Sequence, residues 1–140
     1  VIVTRGGKNV YPEGIEAELE KSRFISESIV LGYRTKGMTG EDVGVLIFPC
    51  YETLIEYAEK NGIPLKGGKD PVNLTEEDKD ELIETFRNLI EKEVRSVMAK
   101  LANYERITRI NIERDEFIKT STRKIKRFLY KGRLDIVDIE

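Results

Sequence analysis

The chain has 140 residues, of which 39% are hydrophobic and 36% are charged, and its 24 basic and 26 acidic side chains give a formal net charge of −2. This length suits one domain with a buried core. The sequence contains no histidine and a single cysteine, Cys50. Ser-His and Cys-His catalytic pairs, histidine-ligated metals and internal disulfides are therefore excluded. Any chemistry must use Lys, Arg, carboxylates, hydroxyls or backbone amides.

The apolar runs of the sequence are short, with residues 43–48 among the longest, so no transmembrane helix is predicted. The N-terminus lacks the charged start and apolar stretch of a secretory signal. The lone Cys50 fits a reducing compartment. We therefore predict a cytoplasmic protein without a transmembrane segment, and peripheral contact with a membrane stays open. Because the chain opens at Val1, without a Met and directly in a strand pattern, we expect it to be part of a longer protein.

Strand and helix signals alternate in the first third of the chain. Residues 1–4 and 9–11 predict two strands joined by a glycine turn, which together form an N-terminal hairpin. Pro12 sets the start of a short helix, because its fixed φ suits the first helical turn. Residues 24–34 and 42–48 predict an antiparallel pair of strands, and the second is apolar enough to be central.

Helical spacing dominates the middle of the chain. Residues 51–58 predict a helix that ends at Gly62, and a Gly- and Pro-containing connection follows over residues 63–73. Thr75 and Asp78 have the spacing of a capping box, and the long helix that they open keeps an apolar stripe for six turns. This stripe predicts the main core helix.

The last third of the chain predicts a strand, a helix and an edge strand. Residues 108–112 alternate as a strand does, and Ser121 or Thr122 is expected to cap a final helix that ends at Gly132. Residues 134–139 alternate apolar and acidic side chains, which predicts an added edge strand. The predicted fold class is α+β: an N-terminal β-hairpin followed by a small mixed three-stranded sheet covered by helices.

Positive charge is concentrated near the C-terminus. Between Ile118 and Leu134 no side chain is acidic and seven are basic: Lys119, Arg123, Lys124, Lys126, Arg127, Lys131 and Arg133. The rest of the chain carries 17 basic and 26 acidic residues, a formal charge of −9. This polarisation indicates that an anion is bound here. A nucleic-acid partner is disfavoured, because Phe128 and Tyr130 are the segment's only aromatic residues and the whole chain is acidic. The alternative is that these basic side chains form a solvated helix face without a specific ligand.

Two stretches carry a family resemblance. Residues 2–16 read IVTRGGKNVYPEGIE and residues 119–127 read KTSTRKIKR. They resemble the Gly-rich turn with its Pro-x-Glu-Ile-Glu helix start, and the Pro-Lys-Thr-x-x-Gly-Lys-Ile-x-Arg motif, of the C-terminal domain of adenylate-forming (AMP-binding) enzymes. Long-chain fatty acyl-CoA synthetases are the most similar branch. Gly14, Ile118 and Arg123 depart from the pattern, since the family has Glu, Pro and Gly there.

The resemblance implies an enzyme that uses ATP to turn a carboxylic acid into an acyl-adenylate and then transfers the acyl group to CoA. Residues 1–140 would be its single mobile C-terminal lid domain, inactive alone, with its own large N-terminal adenylation domain as partner. The acid is expected to be a fatty acid. Mg²⁺ is expected in the full-length enzyme, with no metal ligands in this domain.

Lys124 matches the family's lysine for the first half-reaction, in which its ammonium would bridge the substrate carboxylate and the nucleotide oxygens. Thr122 and Arg123 would lie beside the nucleotide phosphates. Gly6 and Gly7, with Lys8, match the turn that faces the CoA thiol in the second half-reaction. Two alternatives stay open: transfer to an acyl carrier protein instead of CoA, and a module that only binds a protein or nucleic acid.

Overall fold

The computed structural model describes residues 1–136. The regular elements of this part of the chain are strands β1 (Ile2–Val3) and β2 (Asn9–Val10), helix α1 (Pro12–Leu19), strands β3 (Ile25–Tyr33) and β4 (Asp42–Pro49), helices α2 (Tyr51–Lys60) and α3 (Glu76–Met98), and strand β5 (Ile107–Ile112), with 3-10 turns at Asn103–Glu105 and Arg127–Leu129. The predicted α+β class is confirmed.

The strands form a hairpin and a mixed sheet. β1 and β2 pair antiparallel, with Ile2 opposite Val10. The larger sheet has the order β3-β4-β5, so β4 is central as predicted. Val45 of β4 pairs with Val30 of antiparallel β3 on one side and with Ile110 of parallel β5 on the other. The parallel pair requires a crossover connection, which α2 and α3 supply.

The three helices cover one face of the sheet. Side chains of β3 and β4 that point to this face, such as Val30 and Val45, form one cluster with buried residues of all three helices. Leu54, Leu82 and Ile90 of α2 and α3 are fully buried in it. Burial of each such side chain contributes about 1.5–3 kcal/mol, so this layer is the main core, as the long apolar stripe predicts.

The C-terminal segment covers the opposite face. Ile29, Leu46 and Tyr33 alternate with the first set along their strands and form a second buried cluster with Phe117 and Tyr130. The rings of Phe117 and Tyr130 meet edge to face with centroids 5.1 Å apart. The basic segment is therefore fastened to the sheet through apolar side chains, although its own sequence is dominated by charge.

Side-chain contacts fix the start of α3 and the connection that precedes it. Thr75 and Asp78 form the predicted capping box of α3. The connection over residues 63–73 has no helix or strand, and Lys69 fastens it to α3 by pairing with Asp78 at 2.8 Å and with Glu81 at 2.7 Å. The Lys69 side chain is only 4% exposed. Its hydrogen bonds to both carboxylates raise the pKa of Lys69 and lower those of Asp78 and Glu81.

The predicted edge strand over residues 134–139 lies partly outside the described residues. Within them, Ile136 forms an isolated parallel bridge with Thr35. Leu134 is buried in the second cluster.

Candidate functional site: the basic hairpin and the glycine turn

The predicted final helix is wrong, because the basic segment folds as a short hairpin followed by one 3-10 turn. Lys119 and Ile125 form an antiparallel bridge. Between them, the Thr120 N–H donates to the Lys124 carbonyl at 2.8 Å, and the Arg123 N–H donates to the Thr120 carbonyl at 3.0 Å. Arg123 has a φ of +68°. A right-handed helix cannot contain that backbone conformation, so the chain reverses there instead. We call residues 119–125 the basic hairpin.

The hydroxyl of Thr120 supports the hairpin turn, whereas Ser121 and Thr122, which were expected to cap a helix, cap none within residues 1–136. Thr120 Oγ1 accepts the Lys124 N–H at 3.2 Å and lies 3.1 Å from Thr122 Oγ1. Ser121 and Thr122 are both exposed. The short polar side chains satisfy the backbone of a reversal here, which is their other common role.

The hairpin presents Lys124 to solvent. Lys124 and Arg123 are both exposed, and the ion pairs found within residues 1–136 engage neither of them. Three other basic residues of the segment are paired instead: Lys119 with Glu27, Arg127 with Glu16, and Arg133 with Glu113. Arg127 and Arg133 are therefore not part of a solvated helix face. Two adjacent free cations remain near the hairpin tip, and an anion can bind there.

Two of the three paired cations, Arg127 and Arg133, have buried partners. Glu16 is 6% exposed and Glu113 is 9% exposed. The hydrogen bonds that Arg127 donates to Glu16 raise the pKa of Arg127, so this guanidinium stays charged. Burial raises the pKa of Glu20, which lies one helical turn beyond Glu16. Its hydroxyl partner is Ser28, at 2.7 Å.

The glycine turn lies at the end of the N-terminal hairpin. Gly7 has a φ of +77°, and its N–H donates to the Thr4 carbonyl at 2.9 Å. The Lys8 N–H donates to Thr4 Oγ1 at 3.1 Å. A Cβ atom added at Gly6 or Gly7 would have no neighbour within 4 Å. The turn is thus an open strip of backbone, beside which a narrow ligand can pass.

A groove of about 230 Å³ adjoins the glycine turn. Gly6 and Lys8 line it together with Tyr104 and Arg106, both exposed residues near the 3-10 turn that precedes β5. Sequence reasoning missed these two residues. They follow the glycine turn by almost a hundred positions, and the parallel pairing of β4 with β5 brings them to it.

The structure does not join the two predicted sites in one cavity. Lys124, Thr122 and Arg123 do not line the groove beside the glycine turn, which contains Gly6 and Lys8. The two sites are therefore separate surfaces of one domain.

The described part of the chain also contains no group of three or more His, Cys, Asp or Glu side chains placed to hold a metal ion. In residues 1–136 no helix is long and apolar enough to cross a membrane.

The chain is similar to known proteins in its fold. No protein-family model matches the chain, and no curated protein matches it. Solved structures do. An ATP-bound RpMatB–BxBclM chimera superposes with a TM-score of 0.59 at 17% identity, over 95% of this chain and 20% of the chimera. A fatty acyl CoA synthetase of Mycobacterium tuberculosis gives 0.57 at 18% identity, over 95% and 19% of the two chains.

The anthranilate CoA ligase AuaEII, solved in complex with anthranoyl-AMP, also gives a TM-score of 0.57, at 19% identity over 96% of this chain and 20% of that chain. This chain therefore spans about a fifth of the length of the proteins it resembles. At these identities the likeness concerns the fold. The described chain has the fold of one segment of CoA ligases.

Proposed function

We propose that the chain is the mobile C-terminal domain of an AMP-forming acid–thiol ligase. Two findings support the proposal: the fold is shared with CoA ligases over 95% of this chain, and it accounts for about a fifth of theirs. The observation that carries it is Lys124, exposed on a hairpin with no carboxylate partner within residues 1–136. Because this lysine is unpaired in the described part of the chain, its ammonium would be available to bind substrates when the large N-terminal domain brings them to it.

Lys124 would act in adenylation. A carboxylate oxygen of the acid attacks the α-phosphorus of ATP, the bond to the β-phosphate oxygen breaks, and pyrophosphate leaves with its electron pair. The Lys124 ammonium would bridge the acid and the nucleotide oxygens while negative charge moves onto the leaving group. One such preorganised donor is worth about 3–4 kcal/mol, or roughly 100- to 1,000-fold in rate. Thr122 and Arg123, its neighbours on the hairpin, would lie beside the phosphates.

The glycine turn would act in thioester formation. The thiol sulfur attacks the acyl carbon, its proton passes to solvent, and AMP leaves with the electrons of the mixed anhydride bond. Gly6 and Gly7 leave the space above the turn open, so the pantetheine arm of CoA could pass along the backbone, with Lys8 near its phosphates. Because Lys124 and the glycine turn are separate surfaces, the domain would have to rotate between the two steps.

For the substrates, we propose a fatty acid, ATP and CoA in a cytoplasmic enzyme that also uses Mg²⁺. The similarity of residues 6–12 to long-chain fatty acyl-CoA synthetases supports the acid class. The Mycobacterium tuberculosis fatty acyl CoA synthetase among the matching structures points the same way. An acyl carrier protein is the alternative acceptor, and comparing CoA with a carrier in the thioester step distinguishes the two.

Replacing Lys124 tests the proposal. In the full-length ligase, Lys124→Ala should reduce acid-dependent exchange of pyrophosphate into ATP by roughly 100- to 1,000-fold, while preformed acyl-adenylate is still converted to thioester. Lys131→Ala removes an exposed cation from the same segment and serves as the matched control, with exchange near the wild-type rate. Equal loss of both steps in Lys124→Ala would remove the role assigned to this lysine.

The glycine turn has its own test. Gly7→Leu should block thioester formation and spare pyrophosphate exchange, because its side chain occupies the open strip. Gly7→Ala carries the same cost of a side chain at a φ of +77° but little bulk, so comparison of the two variants separates steric blocking from backbone strain. Unaltered thioester formation in Gly7→Leu would contradict the proposed passage of the thiol.

A further inference from the structure

The first arm of the basic hairpin is anchored by a carboxylate of β3. Lys119 Nζ lies 2.6 Å from Glu27 Oε2, and the two side chains are 11% and 18% exposed. The other oxygen of Glu27 accepts the Phe117 backbone N–H at 3.2 Å. One carboxylate thus holds both the lysine that opens the hairpin and the backbone just before it.

The second arm leads to an equivalent anchor on α1. Glu16 accepts two parallel hydrogen bonds from the Arg127 guanidinium, one of them 2.7 Å long at Nη1. The same carboxylate accepts the Val30 backbone N–H at 2.7 Å. Such two-pronged pairs fix orientation as well as distance. Arg127 follows Lys124 by three residues, so this anchor sets where the chain leaves the hairpin.

We propose that Glu16 and Glu27 are positioning residues for Lys124. Between the two anchors, residues 120–124 are largely exposed, and hydrogen bonds within the hairpin maintain its shape. Those internal bonds fix the shape of the hairpin but not its direction relative to the sheet. The direction is set at its base, where each carboxylate binds one cation of the segment and Ile125 packs against the second cluster. A displacement of about 1 Å in a catalytic group can cost roughly 100-fold in rate, so loosening either anchor should impair the step that uses Lys124.

This inference rests on the proposed function, and its test is the separation of the two half-reactions in the full-length ligase. Glu16→Gln and Glu27→Gln keep the size of the side chain and an oxygen for the backbone N–H, but they remove the charge that binds the cation. Each should lower pyrophosphate exchange about 10- to 100-fold, and conversion of preformed acyl-adenylate to thioester should stay within about twofold of wild type, since Lys124 is not used there.

Two matched controls accompany these variants. Glu116 also pairs with Lys119, at 3.5 Å, but is 65% exposed, so Glu116→Gln should leave both steps near wild type. Glu113 is as buried as Glu16 and pairs with Arg133 beyond the hairpin. Glu113→Gln therefore measures the general cost of unpairing a buried acid, and it should not affect exchange selectively.

Epistasis with Lys124 provides the decisive comparison. If both anchors act through Lys124, then Glu27→Gln should cause no further loss of exchange in a Lys124→Ala background. Thermal unfolding of each variant verifies folding.

Arg127→Lys keeps Glu16 paired but removes the two-pronged geometry, and should give a smaller loss in the same step. Equal loss of both half-reactions, wild-type exchange in the two Gln variants, or further loss on top of Lys124→Ala would each overturn the positioning role. Failure of the proposed function itself would appear separately, as undiminished exchange in Lys124→Ala alone.

Discussion

Replacing Arg123 by glycine should stabilise the protein. Arg123 has a φ of +68°, and the left-handed conformation costs a residue with a Cβ atom roughly 1–2 kcal/mol. Glycine removes that cost but gives the unfolded chain extra freedom worth about 0.4–1 kcal/mol. The Arg123 side chain is exposed and has no ion partner within residues 1–136, so its loss contributes little. The expected net gain is about 0.5–1 kcal/mol in the free energy of unfolding.

Equilibrium urea unfolding of the 140-residue chain measures this gain as a shift in the transition midpoint at constant slope. Arg123→Ala is the matched control, because alanine also removes the long side chain but keeps the Cβ atom. Glycine should exceed alanine by about 1 kcal/mol. If Arg123→Gly is less stable than both the wild type and Arg123→Ala, then the left-handed turn does not exist in solution and the geometry of the hairpin is refuted.

Two further substitutions test how the fold supports these sites. A Cβ atom at Gly40 would lie 2.6 Å from the Arg5 Cα atom, at a φ of +76°, so Gly40→Ala should destabilise the chain by about 2–4 kcal/mol. Gly37→Ala, at a φ of +84° in open space, should cost only the backbone strain of about 1–2 kcal/mol, and equal effects in urea unfolding would contradict the predicted clash. Lys69 lowers the pKa of Asp78, so the stability that this pair contributes is present at neutral pH and is lost as the pH falls below about 4. Lys69→Met should therefore lower the melting temperature more at pH 7 than at pH 3; the same difference at both pH values would argue against the pairing.

Periodicity predicted most of the fold because the elements concerned obey local rules. Helix α3 has a capping box and a continuous apolar stripe, and β4 is an apolar run that Pro49 ends. The prediction of a final helix is wrong because tertiary contacts override the local pattern. Ile125, Phe128 and Leu129 have helical spacing, but Phe128 and Leu129 are exposed. Ile125 and Tyr130 instead contact the second cluster on the sheet, from the hairpin and from the residue after the 3-10 turn. A left-handed arginine cannot be predicted from propensity, since arginine does not favour that region. The glycine that the similar motif of adenylate-forming enzymes has at this position was the one available signal.

The site was predictable only in part, for a related reason. A basic segment and a lysine within a motif can be read from local sequence, and so can a glycine turn. The anchors of the segment cannot: Arg127 and Glu16 each end one of the two motifs, but they are 111 residues apart, and no local pattern predicts that they pair. Tyr104 and Arg106 reach the glycine turn only because β5 pairs parallel to β4.

Acid-dependent exchange of labelled pyrophosphate into ATP by the full-length protein tests the proposed function most directly, measured over a series of carboxylic acids that includes fatty acids of several lengths. We predict exchange that requires one class of acid, is lost in Lys124→Ala and persists in Lys131→Ala. Absence of exchange with every acid, or exchange that Lys124→Ala leaves intact, would contradict it.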